Sequence, residues 1–229
     1  QEKGLLLSVY QNRRYDGDFL TVQKLLQEGT LGEILDYQVH FDRYVKGVSS
    51  KKWKAEGGIG INTLYDIGVH IIDQAYTLFG MPQEVYADLR KVREETSGID
   101  NFEVTLYYGQ LKATLSAGEI VAGNGPHFVV NGRKGSYIKY YYDIQEKTLS
   151  SGASPSLPDW GQEPEERYGT LYLEQEGVIQ SALLPTETGH YGRYYDQLYL
   201  ALTENAPLPV TCQQATDVLR IIHAAELSN

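Results

Sequence analysis

The stretch Asn101-Phe102-Glu103-Val104-Thr105-Leu106-Tyr107-Tyr108-Gly109-Gln110-Leu111-Lys112-Ala113-Thr114-Leu115-Ser116-Ala117 decides the fold. Its two runs, Asn101–Tyr108 and Leu111–Ala117, alternate apolar and polar positions, as strands with one dry and one wet face do. The Tyr108-Gly109-Gln110-Leu111 segment between them reads as a tight hairpin turn. Further strands are predicted near Glu84–Val92, His127–Asn131, Ser136–Tyr141, Gly169–Leu173 and Gly177–Leu183, with turns at Asn131-Gly132-Arg133-Lys134-Gly135 and Glu176-Gly177. Neighbours joined by short turns make an antiparallel meander.

Helical spacing lies outside this meander. Phe19, Leu20, Val22, Leu25 and Leu26 predict an amphipathic helix, with Asp16 or Asp18 to cap its start and Gly29 to close it. A long strand is expected over Ile34–Tyr44. Ile67, Ile71, Leu78 and Phe79 predict a second helix, stopped by Gly80-Met81-Pro82. Two more amphipathic helices end the chain, near Gly192–Thr203 and Gln213–Ser228. Residues 143–166 hold three of the eight prolines and read as a long loop. Gly4–Tyr10 is short, apolar and without alternation, which suits a strand buried on both faces of a parallel sheet. The class is α+β, with a large, mostly antiparallel open β-sheet and helices on one face.

Composition narrows the function. The 229 residues carry 20 basic and 30 acidic side chains, a formal charge of −10. A surface that acidic argues against nucleic acid, whose phosphates need a basic footprint. No run of 18 apolar residues exists, so no membrane-spanning helix is expected. The one cysteine, Cys212, excludes an internal disulfide and a cysteine-rich zinc site. Nineteen tyrosines suit sheet surfaces and half-wet interfaces, or stacking against a sugar or base. The outer sheet face is expected to carry much of that excess, including some of Tyr107, Tyr137, Tyr140 and Tyr172.

Three groups of residues could carry chemistry. Asp66, His70 and Asp73 are four and three apart, so on a helix they share a face. They read as a general acid/base beside a carboxylate, as a helix cap with a satisfied histidine, or as metal ligands. Asn12-Arg13-Arg14 follows an apolar strand and is either an anion or polar contact or a solvated basic turn. Trp53-Lys54 could stack on a flat ring or cover a core edge. No G-x-G-x-x-G loop, phosphate-binding G-x₄-G-K-[ST] loop or G-x-S-x-G elbow occurs in the chain.

Asn12-Arg13-Arg14-Tyr15-Asp16, the segment Leu25–Ile34, the paired Gly57-Gly58 and Asp66-Ile67-Gly68-Val69-His70-Ile71-Ile72-Asp73 together resemble the Gfo/Idh/MocA oxidoreductases. So does the tail, with Tyr191-Gly192-Arg193-Tyr194-Tyr195-Asp196 and Pro207-Leu208-Pro209-Val210-Thr211. The resemblance runs from about Leu5 to Ser228. It implies the C-terminal substrate-binding and oligomerisation domain, residues 11–229, of a longer cytoplasmic enzyme. Residues 1–10 would be the last strand of a preceding dinucleotide-binding domain. The family's Glu-Lys-Pro motif, with its catalytic lysine, would lie upstream, so the chain alone is expected to be inactive.

By resemblance His70 and Asp66 are catalytic, and Asn12, Arg13 and Tyr15 contact substrate. Trp53 and Lys54 approach an NAD or NADP cofactor. Lys54 stands where the family carries an arginine, so a point charge replaces a forked donor. The implied substrate is a sugar, a polyol or a similar hydroxylated small molecule. The implied assembly is a homodimer or homotetramer through the open sheet face. A non-catalytic interaction protein and a metal-dependent sugar isomerase are the competing readings.

Overall fold

Alternation in the meander strands builds one eight-stranded sheet in a computed structural model that describes residues 5–47, 60–94, 98–123 and 125–229. The strands are β1 (Ile34–His40), β2 (Glu84–Arg90), β3 (Asn101–Tyr108), β4 (Leu111–Gly118), β5 (Phe128–Gly132), β6 (Gly135–Lys139), β7 (Gly169–Gln175) and β8 (Val178–Leu184). Their spatial order is β2-β3-β4-β1-β5-β6-β7-β8. Only β1 with β4 is parallel among these neighbours, and the other pairs are antiparallel. The mostly antiparallel open sheet of the sequence reading is therefore present.

One face of the sheet is dry. Phe102, Val104 and Leu106 of β3, Ala113 and Leu115 of β4, Tyr37 and Val39 of β1, and Phe128 and Val130 of β5 point into it. Three helices cover them: α1 (Gly17–Gln27) with Phe19, Val22 and Leu25, α2 (Val69–Phe79) with Ile71, Ile72 and Ala75, and α5 (Cys212–Ser228) with Val218, Ile221 and Ile222. Thr211 and Gln214 close a capping box at the start of α5. Two further helices, α3 (Gln145–Ser150) and α4 (Gly192–Thr203), stand apart from this core. Tyr191 and Tyr194 at the start of α4 instead form a small cluster with Tyr15 and Val210.

The opposite face is polar. Gln38 sits opposite Thr114, His40 opposite Ser116, and Thr105 opposite Thr114. The Asp36 carboxylate accepts from Gln38 at 2.6 Å and from Asn131 at 3.0 Å. This corrects the placement of the tyrosines. Tyr107 pairs with Lys112 and Tyr172 with Ser136 and Ser181 on the outer face, but Tyr137 is fully buried on the core side. Its ring fits because β7 offers Gly169 there, where a Cβ would lie 2.4 Å from the ring's hydroxyl-bearing carbon. Tyr15, Tyr37, Tyr191 and Tyr194 are buried as well.

Three other expectations change. Leu5–Tyr10 joins no strand, and Leu5, Leu6 and Leu7 are exposed. An extended segment becomes a strand only when a sheet edge takes its backbone groups. Here the Ser8 hydroxyl donates to the Val210 carbonyl and the Cys212 thiol to the Leu7 carbonyl instead. Regular strand in β1 ends at His40, although Phe41 and Arg43 still donate to the carbonyls of Ser116 and Gly118. Residues 143–166 hold α3, and they are pinned by the buried Gln145, Trp160 and Glu163.

Gly169→Ala is expected to destabilise the fold by about 1–3 kcal/mol, because the new methyl overpacks the Tyr137 ring. Urea unfolding measures it, and pairing the change with Tyr137→Leu should recover part of the loss.

Candidate active site

The site forms where a four-residue turn meets the start of α2. After the extended segment 5–10, Gln11 opens a 3-10 turn over Asn12–Tyr15. Its carbonyl accepts from the Arg14 amide at 3.2 Å. The chain enters α2 through a wide π turn, Leu64–Gly68, of the kind that often marks a functional position. Asn62 starts this turn, because its side-chain oxygen accepts from the Tyr65 amide at 3.1 Å. Asp66 therefore does not cap the helix; it lies within the π turn, exposed. Gly68 allows the turn to press on the sheet, since a Cβ there would lie 2.9 Å from Leu64 and 3.1 Å from the Phe102 ring.

One face of α2 grips the 3-10 turn. Asp73 and Gln74 lie three and four residues beyond His70, so they project to the same side as it does. The Arg14 guanidinium donates two 2.7 Å bonds to the Asp73 carboxylate, and both side chains are nearly out of water. Gln74 donates to the Arg13 carbonyl at 3.0 Å. The His70 Nδ1 lies 3.0 Å from the Gln11 side-chain oxygen. Asp73 thus shares a face with His70 as its spacing predicts, but it is committed to Arg14. That commitment removes it from any metal set with Asp66 and His70, because its two oxygens are already occupied by a cation.

Arg13 turns the other way and sits over the Phe41 ring, 4.6 Å from its centre. It reaches Glu146 of α3 at 2.5 Å and Asp16 at 3.3 Å. Asp16 occupies the position before α1 but does not cap it. The Gly17 amide is taken by Asp143 at 2.8 Å instead. Burial, together with the neighbouring Asp18, pushes the Asp143 carboxyl up to about 6. Burial and the nearby Asp143 and Asp18 raise the Asp16 carboxyl as well, against the pull of Arg13.

His70 is half-buried. Burial first, and the Arg13 cation second, lower its imidazole from 6.5 to about 4, while Asp66 and Glu146 act in the opposite sense. The ring is therefore neutral at pH 7 and able to accept a proton.

The residues predicted to act together separate into three sets. His70, Asp66 and Arg13 are electrostatic neighbours. Asn12 is half-buried beside them in sequence, and its side chain makes no hydrogen bond among the described residues. Tyr15 is not brought to His70. Its hydroxyl donates to Gln197 at 2.7 Å, and its ring packs with Tyr191 and Tyr194 because the 3-10 turn carries it to the α4 side. There it lines a pocket of about 230 Å³ with Arg14, Gln23, Thr77 and Arg193. Trp53 and Lys54 lie outside the described residues. Gln11, Phe41 and Glu146 belong to the site's surroundings and were not singled out. Glu146 is 133 positions from Arg13, so no local spacing could have linked them.

The family model for the C-terminal alpha/beta domain of the oxidoreductase family GFO_IDH_MocA matches residues 23–229. The scyllo-inositol 2-dehydrogenase (NADP(+)) IolW of Bacillus subtilis is 44% identical over 224 residues, covering 98% of this chain and 62% of that protein. The oxidoreductase YhhX of Escherichia coli K12 is 40% identical over 208 residues, covering 90% of this chain and 59% of that protein. A solved structure of the Bacillus subtilis oxidoreductase yvaA is 44% identical, with a TM-score of 0.95 over 99% of this chain and 65% of that one. The chain thus spans about six-tenths of the length of the curated relatives it matches.

Two outcomes test this geometry. Asp73→Asn leaves the buried Arg14 charge without its partner and is expected to cost about 3–5 kcal/mol of stability in urea unfolding. The His70 effect has a defined sign. Its folded value, about 4, lies below 6.5, so between these values the unfolded chain holds more of the proton. Stability from this group is full above pH 6.5, falls as pH drops towards 4, and levels off below, with a total of at most about 3 kcal/mol. His70→Gln should lack that slope, so the slope appears in full in the difference between parent and variant; a variant that keeps the parent's slope would show that His70 is not desolvated.

Proposed function

The chain belongs to the Gfo/Idh/MocA oxidoreductase family, and from that premise we propose that it is the substrate-binding domain of an NAD(P)-dependent oxidoreductase acting on a polyol or sugar. The observation that carries the proposal is the His70 imidazole: half-buried, neutral, oriented through Nδ1 and one turn from Asp66. Oxidising a carbinol requires a group that takes the hydroxyl proton as hydride leaves carbon, and reduction requires the same group to return it. His70 exchanges that proton. Asp66 orients the substrate hydroxyl or offsets charge on the ring. Arg13, held by Asp16 and Glu146, and Asn12 shape the polar wall beside it.

The donor set fits a nicotinamide partner. A single neutral proton acceptor beside polar side chains suits hydride chemistry, because the hydride needs no acid or base of its own. The bound cofactor supplies or receives the hydride. This chain has no glycine-rich phosphate loop, so the phosphates would be held by the preceding domain, with Trp53 and Lys54 as the contacts from this side. The exposed Leu5, Leu6 and Leu7 support reading residues 1–10 as the last strand of that domain. The likeness to the NADP-dependent inositol dehydrogenase IolW supports a polyol substrate. Self-association through the open sheet face completes the reading, supported by a polar face on which Tyr86, Tyr107 and Tyr172 lie.

In the full-length enzyme, His70→Gln should lower kcat by roughly 10²–10⁴ while leaving the fold intact, the usual contribution of one general acid/base. Steady-state kinetics with a polyol panel and both nicotinamide cofactors makes the measurement. A variant with unchanged kcat and pH profile would demote His70 to a packing residue.

A further inference from the structure

His70 has two ring nitrogens, and only one can meet the substrate. We propose that Gln11 is the positioning residue that fixes the His70 tautomer, holding the proton on Nδ1 so that Nε2 carries the reactive lone pair. The inference rests on the catalytic reading of His70 and deepens it.

The argument starts from the contact itself. The atom facing Nδ1 at 3.0 Å is the Gln11 amide oxygen. An amide oxygen only accepts, so Nδ1 must donate. A neutral imidazole carries a single N–H, so Nε2 is left bare. Gln11 is the one hydrogen-bond partner of the His70 ring among the described residues. Among the described residues, Arg13, Asp66 and Glu146 act on the ring through their charge.

Both ends of this bond are anchored. Gln11 is 4% exposed, its backbone N–H donates to the Val9 carbonyl, and its backbone carbonyl accepts from the Arg14 N–H. Arg14 in turn holds Asp73, one turn along α2 from His70. The acceptor and the ring therefore belong to two pieces of backbone clamped together within a few residues of the contact. A glutamine that traded its oxygen for its NH₂ would release the tautomer; burial of Gln11 on a pinned turn holds its side chain against the His70 ring.

The choice of an amide has a chemical consequence. The partner that orients a catalytic histidine is often a carboxylate, which fixes the tautomer and also stabilises the imidazolium. Gln11 separates these two effects. It fixes the proton on Nδ1 and adds no negative charge, so the ring gives its proton back readily. The nitrogen left bare is decided by the hydrogen bond that the other one makes.

Nitrogen-15 NMR of the histidine rings in this chain tests the proposal without any turnover. At neutral pH, Nδ1 of His70 should show the shift of a protonated nitrogen and Nε2 that of a bare one. An Nε2-protonated ring, or an even mixture, would overturn the proposal whether or not any variant folds. Gln11→Leu should release the tautomer towards the Nε2-protonated form, whereas Gln11→Glu should keep it and raise the pH midpoint of the ring. A Gln11→Leu chain that keeps the parent's tautomer would also overturn it.

In the full-length enzyme, Gln11→Leu should lower kcat roughly 10- to 100-fold, the range seen when an orienting partner of a functional histidine is lost. Gln11→Glu should restore much of the rate and move the basic-group limb of the pH profile upward. Equal losses in both variants with an unmoved pH profile would mean a purely structural role. Because the spectra do not involve substrate, an inactive reading of His70 and a wrong tautomer give different results.

Discussion

The Arg14–Asp73 ion pair is the contact on which the rest of the site depends. Two parallel 2.7 Å bonds join a planar fork to a carboxylate, both largely removed from water. Bidentate geometry fixes orientation as well as distance. Desolvating two charges is costly, so the pair is poor evidence for added stability. What it does supply is register. It locks a 3-10 turn, which has weak hydrogen bonds of its own, onto one turn of α2. With that register set, Gln11 meets His70 and Gln74 meets the Arg13 carbonyl. Arg13 is left free to turn towards Asp16, Glu146 and Phe41.

The sheet contributes by what it excludes. Its dry face carries α1, α2 and α5 and places the π turn at β3, where Gly68 permits close approach to Phe102. His70 then lies half-buried at the helix start, dry enough to stay neutral and open enough to be reached. The acidic groups around the turn are managed rather than avoided. Asp18 pairs with His127 at 3.4 Å, and Asp143 closes the N-terminus of α1. Glu146 faces Arg13 from the water side. The result is a histidine whose low proton affinity comes chiefly from burial.

Most of the fold was legible because it is written in local periodicity. Alternation located β3 and β4 to the residue or nearly so, and three-four spacing located α1, α4 and α5. Legibility failed where a long-range partner decides the outcome. Leu5–Tyr10 has the composition of a buried strand, but no strand among the described residues pairs with its backbone. Tyr137 alternates as an ordinary strand residue, and its burial depends on Gly169, 32 positions away. At the site, the spacing of Asp66, His70 and Asp73 correctly put His70 and Asp73 on one side of a helix. It could not show that Arg14 claims Asp73, nor that Tyr15 turns towards α4. Gln11 had no signal at all, since a lone glutamine after an apolar run has many uses.

The central claim is that the imidazole of His70 is the proton-exchanging group of a polyol oxidoreductase, and chemical rescue tests it most directly. His70→Ala in the full-length enzyme opens a gap that free imidazole can enter. The account predicts low turnover that rises with added imidazole, and more steeply at pH values where the added base is neutral. Turnover equal to the parent and indifferent to imidazole would contradict it.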